Sequence, residues 1–189
     1  DLALMRSIPN LTVIDPCDAT EVSQATAAIA EHDGPVYMRL LRGQVPVVLD
    51  EKTYRFEIGR AKLLRDGADV AIISTGLMTG RALEAAAELS SAGVNAAVLH
   101  VPTIKPFDRE EVSKLLKRVP LVVTAENHVV TGGLGSAVAD LAVESGCAIT
   151  LRKVGIPDCF CESGSIPYLV KHYRMGPADI AAAARGLLR

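Results

Sequence analysis

Val70-Ala71-Ile72-Ile73-Ser74-Thr75-Gly76 is the stretch that decides the fold. It is apolar at odd and even positions alike, so both faces of the strand it forms must be covered. An antiparallel strand with one wet face would alternate instead, and continuous apolar runs belong to parallel sheets sandwiched by helices. The stretch closes on a glycine, a break suited to a strand end. Downstream the pattern repeats. Arg81 to Ala92 is an Ala-rich helix stopping at Gly93, where a glycine just past the helix end can take a positive φ. Val94 to Val101 is the next strand, and Asp108 caps a helix reaching about Lys117. Leu121 to Ala125 is a third strand, Gly132-Gly133-Leu134-Gly135 leads into a helix to about Ser145, and Ala148 to Val154 is a fourth strand. Helical segments Ile166 to Tyr173 and Ala178 to Leu188 follow, the second with Pro177 at a first-turn position. Strands alternating with helices predict a three-layer α/β/α domain with a mostly parallel sheet over residues 59–189.

Upstream of that domain the character changes. Residues 44–58, with Gln44-Val45-Pro46 and Asp50-Glu51-Lys52, sustain neither period and are expected to be a linker. Before them, Leu11 to Ile14 reads as a strand after the breaker Ile8-Pro9-Asn10. Asp18 stands three residues before Glu21, the spacing of a capping box, and opens a helix from about Ala19 to Glu31. Gly34-Pro35 then turns the chain into a second strand, Val36 to Leu41. Two strands and a helix have no second face to pack against, so residues 1–43 are expected to be the closing part of another α/β domain. Asp1 is not an initiator Met, and the turn Asp1 to Arg6 does not resemble a signal peptide, so the chain is expected to begin inside a longer protein.

The 189 residues are 49% hydrophobic with a net charge of −2, which excludes global disorder and leaves no basic footprint for nucleic acid. No apolar run approaches the roughly 18 residues of a membrane helix. Cysteines at 17, 147, 159 and 161 lack the paired spacing of a zinc ribbon, and Cys159-Phe160-Cys161 reads as two reduced thiols in a cytoplasmic protein. No metal site is expected.

Ligands bind open parallel sheets beyond the carboxyl ends of the strands. Glu126-Asn127-His128 follows a strand directly and could serve acid–base chemistry; equally, these side chains could bond loop backbone or a neighbouring domain. Gly133 and Gly135 lie too late in the domain for a dinucleotide fingerprint, and fit a tight turn with close helix packing. Arg39 and Arg42 end the second strand, where a guanidinium fork could hold a phosphate or sit in a salt bridge. His32, His100 and His172 have no acid or cysteine at useful spacing.

Taken together, these segments resemble the transketolase family. Met5 to Glu21 and Gly34 to Gly43 resemble the end of its pyrimidine-binding domain. Ser74-Thr75-Gly76, Pro102 to Asp108, Glu126 to Gly135 and Gly155 to Ser165 resemble its C-terminal domain. The resemblance implies an enzyme that uses thiamine diphosphate and Mg²⁺ to move a two-carbon ketol unit from a ketose phosphate to an aldose phosphate, as in the pentose phosphate pathway. It also implies assembly as a homodimer, or with a partner subunit carrying the diphosphate-binding domain. Arg42, in Arg42-Gly43-Gln44-Val45-Pro46, matches the family arginine that holds the sugar phosphate. Glu126 and His128 match no catalytic residue, which favours a domain-interface role. The rest of the machinery maps upstream of Asp1, so the 189-residue segment alone is expected to be inactive, binding neither cofactor nor metal by itself. 1-Deoxyxylulose-5-phosphate synthase, the 2-oxoacid dehydrogenase E1 β-type subunit and a non-catalytic docking module remain alternatives. Pro16 to Glu21 sits closer to transketolase than to the E1 β subunit.

Overall fold

A computed structural model describes residues 1–189. The first segment forms α1 (Leu2–Ser7), β1 (Thr12–Ile14), α2 (Ala19–Ala30) and β2 (Val36–Met38). After residues 44–58, which hold neither helix nor strand, come β3 (Lys62–Arg65), β4 (Val70–Ser74), α3 (Met78–Ser91), β5 (Ala96–His100), β6 (Thr103–Lys105) and α4 (Arg109–Arg118). The chain ends with β7 (Leu121–Val129), α5 (Leu134–Glu144), β8 (Thr150–Ile156), α6 (Ile166–His172) and α7 (Pro177–Arg185).

The larger sheet has the order β3-β5-β4-β7-β8, with β4, β5, β7 and β8 parallel and β3 antiparallel at one edge. Its pleat divides the core in two. Ala71, Ile73, Ala97, Leu99 and Val122 face one way, into a cluster with Leu116 of α4 and Val138 and Leu141 of α5. Val70, Ile72, Ala96, Val98 and Val123 face the other way, toward Ala82, Ala86 and Leu89 of α3 and Ile180 and Ala184 of α7. All five residues of β4 are buried, as the opening stretch requires. The alanines matter here, because a small side chain lets a helix approach a flat sheet closely.

Three elements depart from the sequence reading. β3 is half-exposed and bracketed by Lys62 and Arg65, so it carries no apolar run by which to see it. β6 is three residues long and leaves its own sheet to pair antiparallel with β1, completing a smaller sheet of order β2-β1-β6. The first segment thereby gains its third strand from the second. β7 runs on past Ala125 to pair Val129 with Ile156, with a register irregularity in between. Glu126, Asn127 and His128 therefore lie within an irregular strand rather than in a loop after it, since only an irregular stretch lets the ladder resume four residues later.

Residues 44–58 are tied down. Leu49, Tyr54 and Phe56 are buried with Ile14, Cys17 and Ala25 in a third cluster. Gln24 of α2 clips the segment twice, donating to the Tyr54 carbonyl at 3.1 Å and accepting from the Phe56 amide at 2.8 Å.

Candidate functional site at the junction of the two sheets

The carboxyl ends of β4 and β7, where an open parallel sheet takes its ligand, are occupied by the first segment of the same chain. Asp15, just past β1, accepts through its carbonyl from the Gly76 amide at 3.1 Å. A Cβ at Gly76 would fall 2.7 Å from the Asp15 carboxyl carbon, and φ there is +52°, so the residue must be glycine on two counts. Arg39, just past β2, grips the Asp15 carboxylate bidentately through Nε at 2.9 Å and Nη2 at 2.8 Å. Its Nη1 donates to the Asn127 carbonyl at 2.8 Å and lies 3.4 Å from the Asp1 carboxylate. Every nitrogen of the fork is engaged and four of its five N–H donors are used, so Arg39 is a clasp between the two sheets and has no paired donors left for a phosphate.

Glu126 and His128 serve the same junction differently. The Glu126 carboxylate accepts from the Leu134 and Gly135 amides, both at 2.8 Å, and so caps α5 from its parent strand. Burial pushes its carboxyl above the ordinary carboxylate range, against the pull of those two amides and of Lys153 and Arg39. A side chain at Gly133 would overlap this carboxylate, which explains the glycine there. His128 donates through Nδ1 to the Val129 carbonyl at 2.7 Å, leaving Nε2 to accept from the Ala3 amide of α1 at 3.4 Å. Burial holds its imidazole below the ordinary histidine range.

A second buried network crosses between the sheets where sequence spacing shows nothing. Asp18 accepts from the Glu21 amide at 3.0 Å as the cap of α2. The Glu21 side chain, however, reaches past the cap to the Cys17 amide at 2.8 Å. It also accepts from the Tyr54 hydroxyl and, at 2.8 and 3.0 Å, from Nε2 of His100 on β5. Nδ1 of His100 is 2.7 Å from the Thr79 hydroxyl, which lies 3.1 Å from that of Ser74. Glu21, His100, Thr79 and Ser74 are all fully buried. Burial alone would raise the Glu21 carboxyl; the charge and hydrogen bond of His100, with the Tyr54 and Cys17 donors, bring it below the usual range instead. Cys17, Glu21 and His100 place ligand-type atoms within 4.8 Å of one another, a set that could hold a metal by atom type. The carboxylate and imidazole are engaged with each other, though, and burial beside Glu21 and Asp18 pushes the Cys17 thiol up rather than toward thiolate. The cluster works as a hydrogen-bonded brace.

Arg42 differs from Arg39 in every respect that bears on binding. It is exposed and enters none of the chain's hydrogen bonds or ion pairs. Its neighbours Leu41 and Gly43 line a cavity of about 670 Å³, whose far wall is Cys17, Asp18 and Val22 at the start of α2. Gly43 takes a φ of +106°, a turn that places a glycine directly after the arginine. Cys159 and Cys161 are exposed free thiols flanking a fully exposed Phe160.

What the fold and site define is an α/β domain docked by its ligand edge onto the end of a second α/β domain, with one unpaired arginine beside a cavity at the join. Two family descriptions match accordingly: "Transketolase, pyrimidine binding domain" over residues 1–47, and "Transketolase, C-terminal domain" over residues 59–180. The chain belongs to the transketolase family. It is 56% identical over 184 residues to a transketolase family protein of Sinorhizobium fredii, covering 96% of this chain and 53% of that one. It is 46% identical to a 6-deoxy-6-sulfo-D-fructose transketolase subunit from a Clostridium species, covering 97% of this chain and 56% of the relative. A solved split gene transketolase, described as an inactive β4 tetramer, superposes with a TM-score of 0.94 at 43% identity over 99% of this chain and 61% of that one. The chain thus spans about half the length of the relatives it matches.

Proposed function

We propose that this chain is the C-terminal portion of a transketolase that moves a two-carbon ketol unit between ketose and aldose phosphates. In this reading Arg42 holds the anionic end of the sugar. The observation that carries it is the contrast between two arginines three positions apart. Arg39 commits four of its five N–H donors to Asp15, Asn127 and Asp1, while Arg42 keeps all its donors free beside an open cavity. A guanidinium meets a phosphate through paired, charge-assisted N–H bonds. The contact is made equally in the ground and transition states, so Arg42 contributes to binding rather than to the chemical step.

Family members use thiamine diphosphate, which supplies carbanion stabilisation when bound. The residues here do not fit that group. No aromatic ring lines the cavity beside Arg42, and Asp18, its one acidic wall residue, is engaged with the amides of Glu21, Val48 and Leu49. We therefore place the cofactor, and Mg²⁺ with it, on a diphosphate-binding domain elsewhere in the complete protein or on a partner subunit. The solved split-gene relative supports a partner-subunit arrangement, and four free cysteines suit a cytoplasmic setting.

The test uses the complete protein, with its partner subunit where there is one, supplied with thiamine diphosphate and Mg²⁺. Ketol transfer from xylulose 5-phosphate is expected, and Arg42→Ala should raise the donor KM about tenfold or more at little cost to kcat. Transfer from 6-deoxy-6-sulfofructose in its place would keep the role of Arg42 and change the anion to a sulfonate, consistent with the Clostridium relative. A second reading rests on the 38% identity to 1-deoxy-D-xylulose-5-phosphate synthase of Heliobacterium modesticaldum, over 99% of this chain. Pyruvate decarboxylation without ketol transfer would favour it.

A further inference from the structure

We propose that Glu21 and His100, which contact neither the cavity nor Arg42, are positioning residues for Arg42: a buried carboxylate–imidazole pair that sets where the arginine strap stands. The proposal rests on the reading of Arg42 as the anion-holding residue.

The mechanical argument follows the chain. Arg42 lies on a strap from Leu40 to Leu49 that contains neither helix nor strand. Hydrogen bonds hold the strap at its two ends. Before it, the Arg39 amide donates to Ile14 of β1 at 2.9 Å. At its far end, the Val48 and Leu49 amides both donate to one oxygen of Asp18 at 2.8 Å. That far end is only as steady as the Cys17–Asp18 corner. Glu21 steadies the corner by accepting from the Cys17 amide while its own amide donates to Asp18. Glu21 is in turn fixed from three sides: the corner, the Tyr54 hydroxyl of the segment following the strap, and His100 of the larger sheet. His100 is the only member of this set that belongs to the rigid parallel sheet, and Thr79 on α3 locks its other nitrogen. Because a carboxylate can only accept, Nε2 of His100 must carry a proton toward Glu21.

The pair thus refers the strap, and the cavity walls at Cys17 and Val45, to the sheet on the far side of the junction. A loop left free would still hold an anion, but only after paying the ordering entropy at each binding event. Without the brace the arginine should bind its ligand more weakly, and the chemistry should be untouched.

The experiment measures donor kinetics of the complete protein, with its partner subunit where there is one, for His100→Leu, His100→Gln, Arg42→Ala and the Arg42→Ala/His100→Leu double variant. Thermal melts fix an assay temperature at which each remains folded. We expect His100→Leu to raise the donor KM about five- to tenfold with kcat within about twofold of wild type. His100→Gln, which keeps an N–H near the Nε2 position, should stay within about twofold in KM. In the Arg42→Ala background, His100→Leu should add less than about twofold, because the residue it positions is gone. Should His100→Leu fail to fold, Glu21→Gln takes its place, since it exchanges one acceptor for a donor and should raise KM in the same direction by less. Effects that multiply in the double variant, or a wild-type KM in His100→Leu, would overturn the positioning role. Arg42→Ala with an unchanged KM is a separate outcome that overturns the underlying reading of Arg42.

Discussion

Glu21 and His100 meet at 2.8 Å with both side chains fully buried, although 79 positions separate them in the chain. Neither is remarkable alone. Glu21 lies on the first turn of α2 and His100 ends β5, so each looks like an incidental polar residue until the two sheets are brought together. Their pairing answers the cost of burying the Glu21 carboxylate, because a lone carboxylate in an apolar junction would be neutralised or would destabilise the fold.

Breaking the pair from one side should therefore cost more than removing it whole. His100→Leu is expected to lower stability by about 3–5 kcal/mol, the range for an uncompensated buried charge. Glu21→Leu/His100→Leu should recover part of that loss. The recovery is incomplete because the Cys17 amide and Tyr54 hydroxyl lose their acceptor. Urea unfolding of the single and double variants measures both; a double variant no more stable than His100→Leu would refute the account.

The clasp at the other side of the junction yields a second expectation. Asp15 and Arg39 have side-chain exposures of 5% and 14%, so their bidentate contact is well shielded from solvent screening. Asp15→Ala should destabilise by about 3 kcal/mol, since it strands a largely buried guanidinium. Asp15→Asn, which still accepts one bond, should lose less. Arg42→Ala, at an exposed and unpaired site, should leave the unfolding midpoint within about 0.5 kcal/mol of wild type. Chemical denaturation ranks the three, and a large loss from Arg42→Ala would contradict the distinction drawn between these arginines.

How far the sequence reached follows from where each constraint lies. Val70 to Ser74 matches β4 residue for residue, because burial on both faces is a local property written into every position. Asp18 and Asp108 open their helices as expected, since a cap and its amides are neighbours in the chain. β6 escaped notice because its partner β1 lies some 90 positions upstream, and three residues carry no period. Arg39 and Arg42 shared one candidate role at sequence level; only the position of Asp15 relative to them separates a clasp from a free fork. His100 is silent in the sequence for the same reason, since its acid lies 79 positions away across the domain junction. The one available hint is Asp18-Ala19-Thr20-Glu21, where the glutamate at the capping-box position accepts from the Cys17 amide and from His100 instead of closing the box.

Gly133 makes a sharper test of local packing. Its missing Cβ leaves room for the Glu126 carboxylate that caps α5. Gly133→Ala must push that carboxylate off the Leu134 and Gly135 amides or shift the helix, and should cost about 2 kcal/mol or more. Gly146→Ala, where φ is +65° but a Cβ would meet nothing within 4 Å, should cost about 1 kcal/mol from backbone strain alone. Thermal unfolding of the two variants separates crowding from strain, and equal losses would show that the Glu126 cap carries no packing constraint.

His128 gives the chain a predictable response to acid. Its Nδ1–H is committed to the Val129 carbonyl, so the folded state uses Nε2 as an acceptor for the Ala3 amide. Protonation would turn that acceptor into a donor facing another donor, inside a buried site that already disfavours charge. The folded pKa is accordingly depressed below that of the unfolded chain. For a histidine so shifted, the stabilising contribution is complete above the unfolded value of about 6.5 and falls as the pH drops toward the folded value, by at most about 1.4 kcal/mol per pH unit. Stability measured by urea unfolding should therefore decline between pH 7.5 and pH 5.5 in the wild-type chain. Glu21, whose folded pKa is also depressed, loses its contribution only at lower pH, in the carboxylate range, so it does not mask this window. His128→Asn should be less stable at pH 7.5 and noticeably flatter across the same interval. An equal decline in both proteins would assign the acid response to other groups and leave the contact with α1 without a role in it.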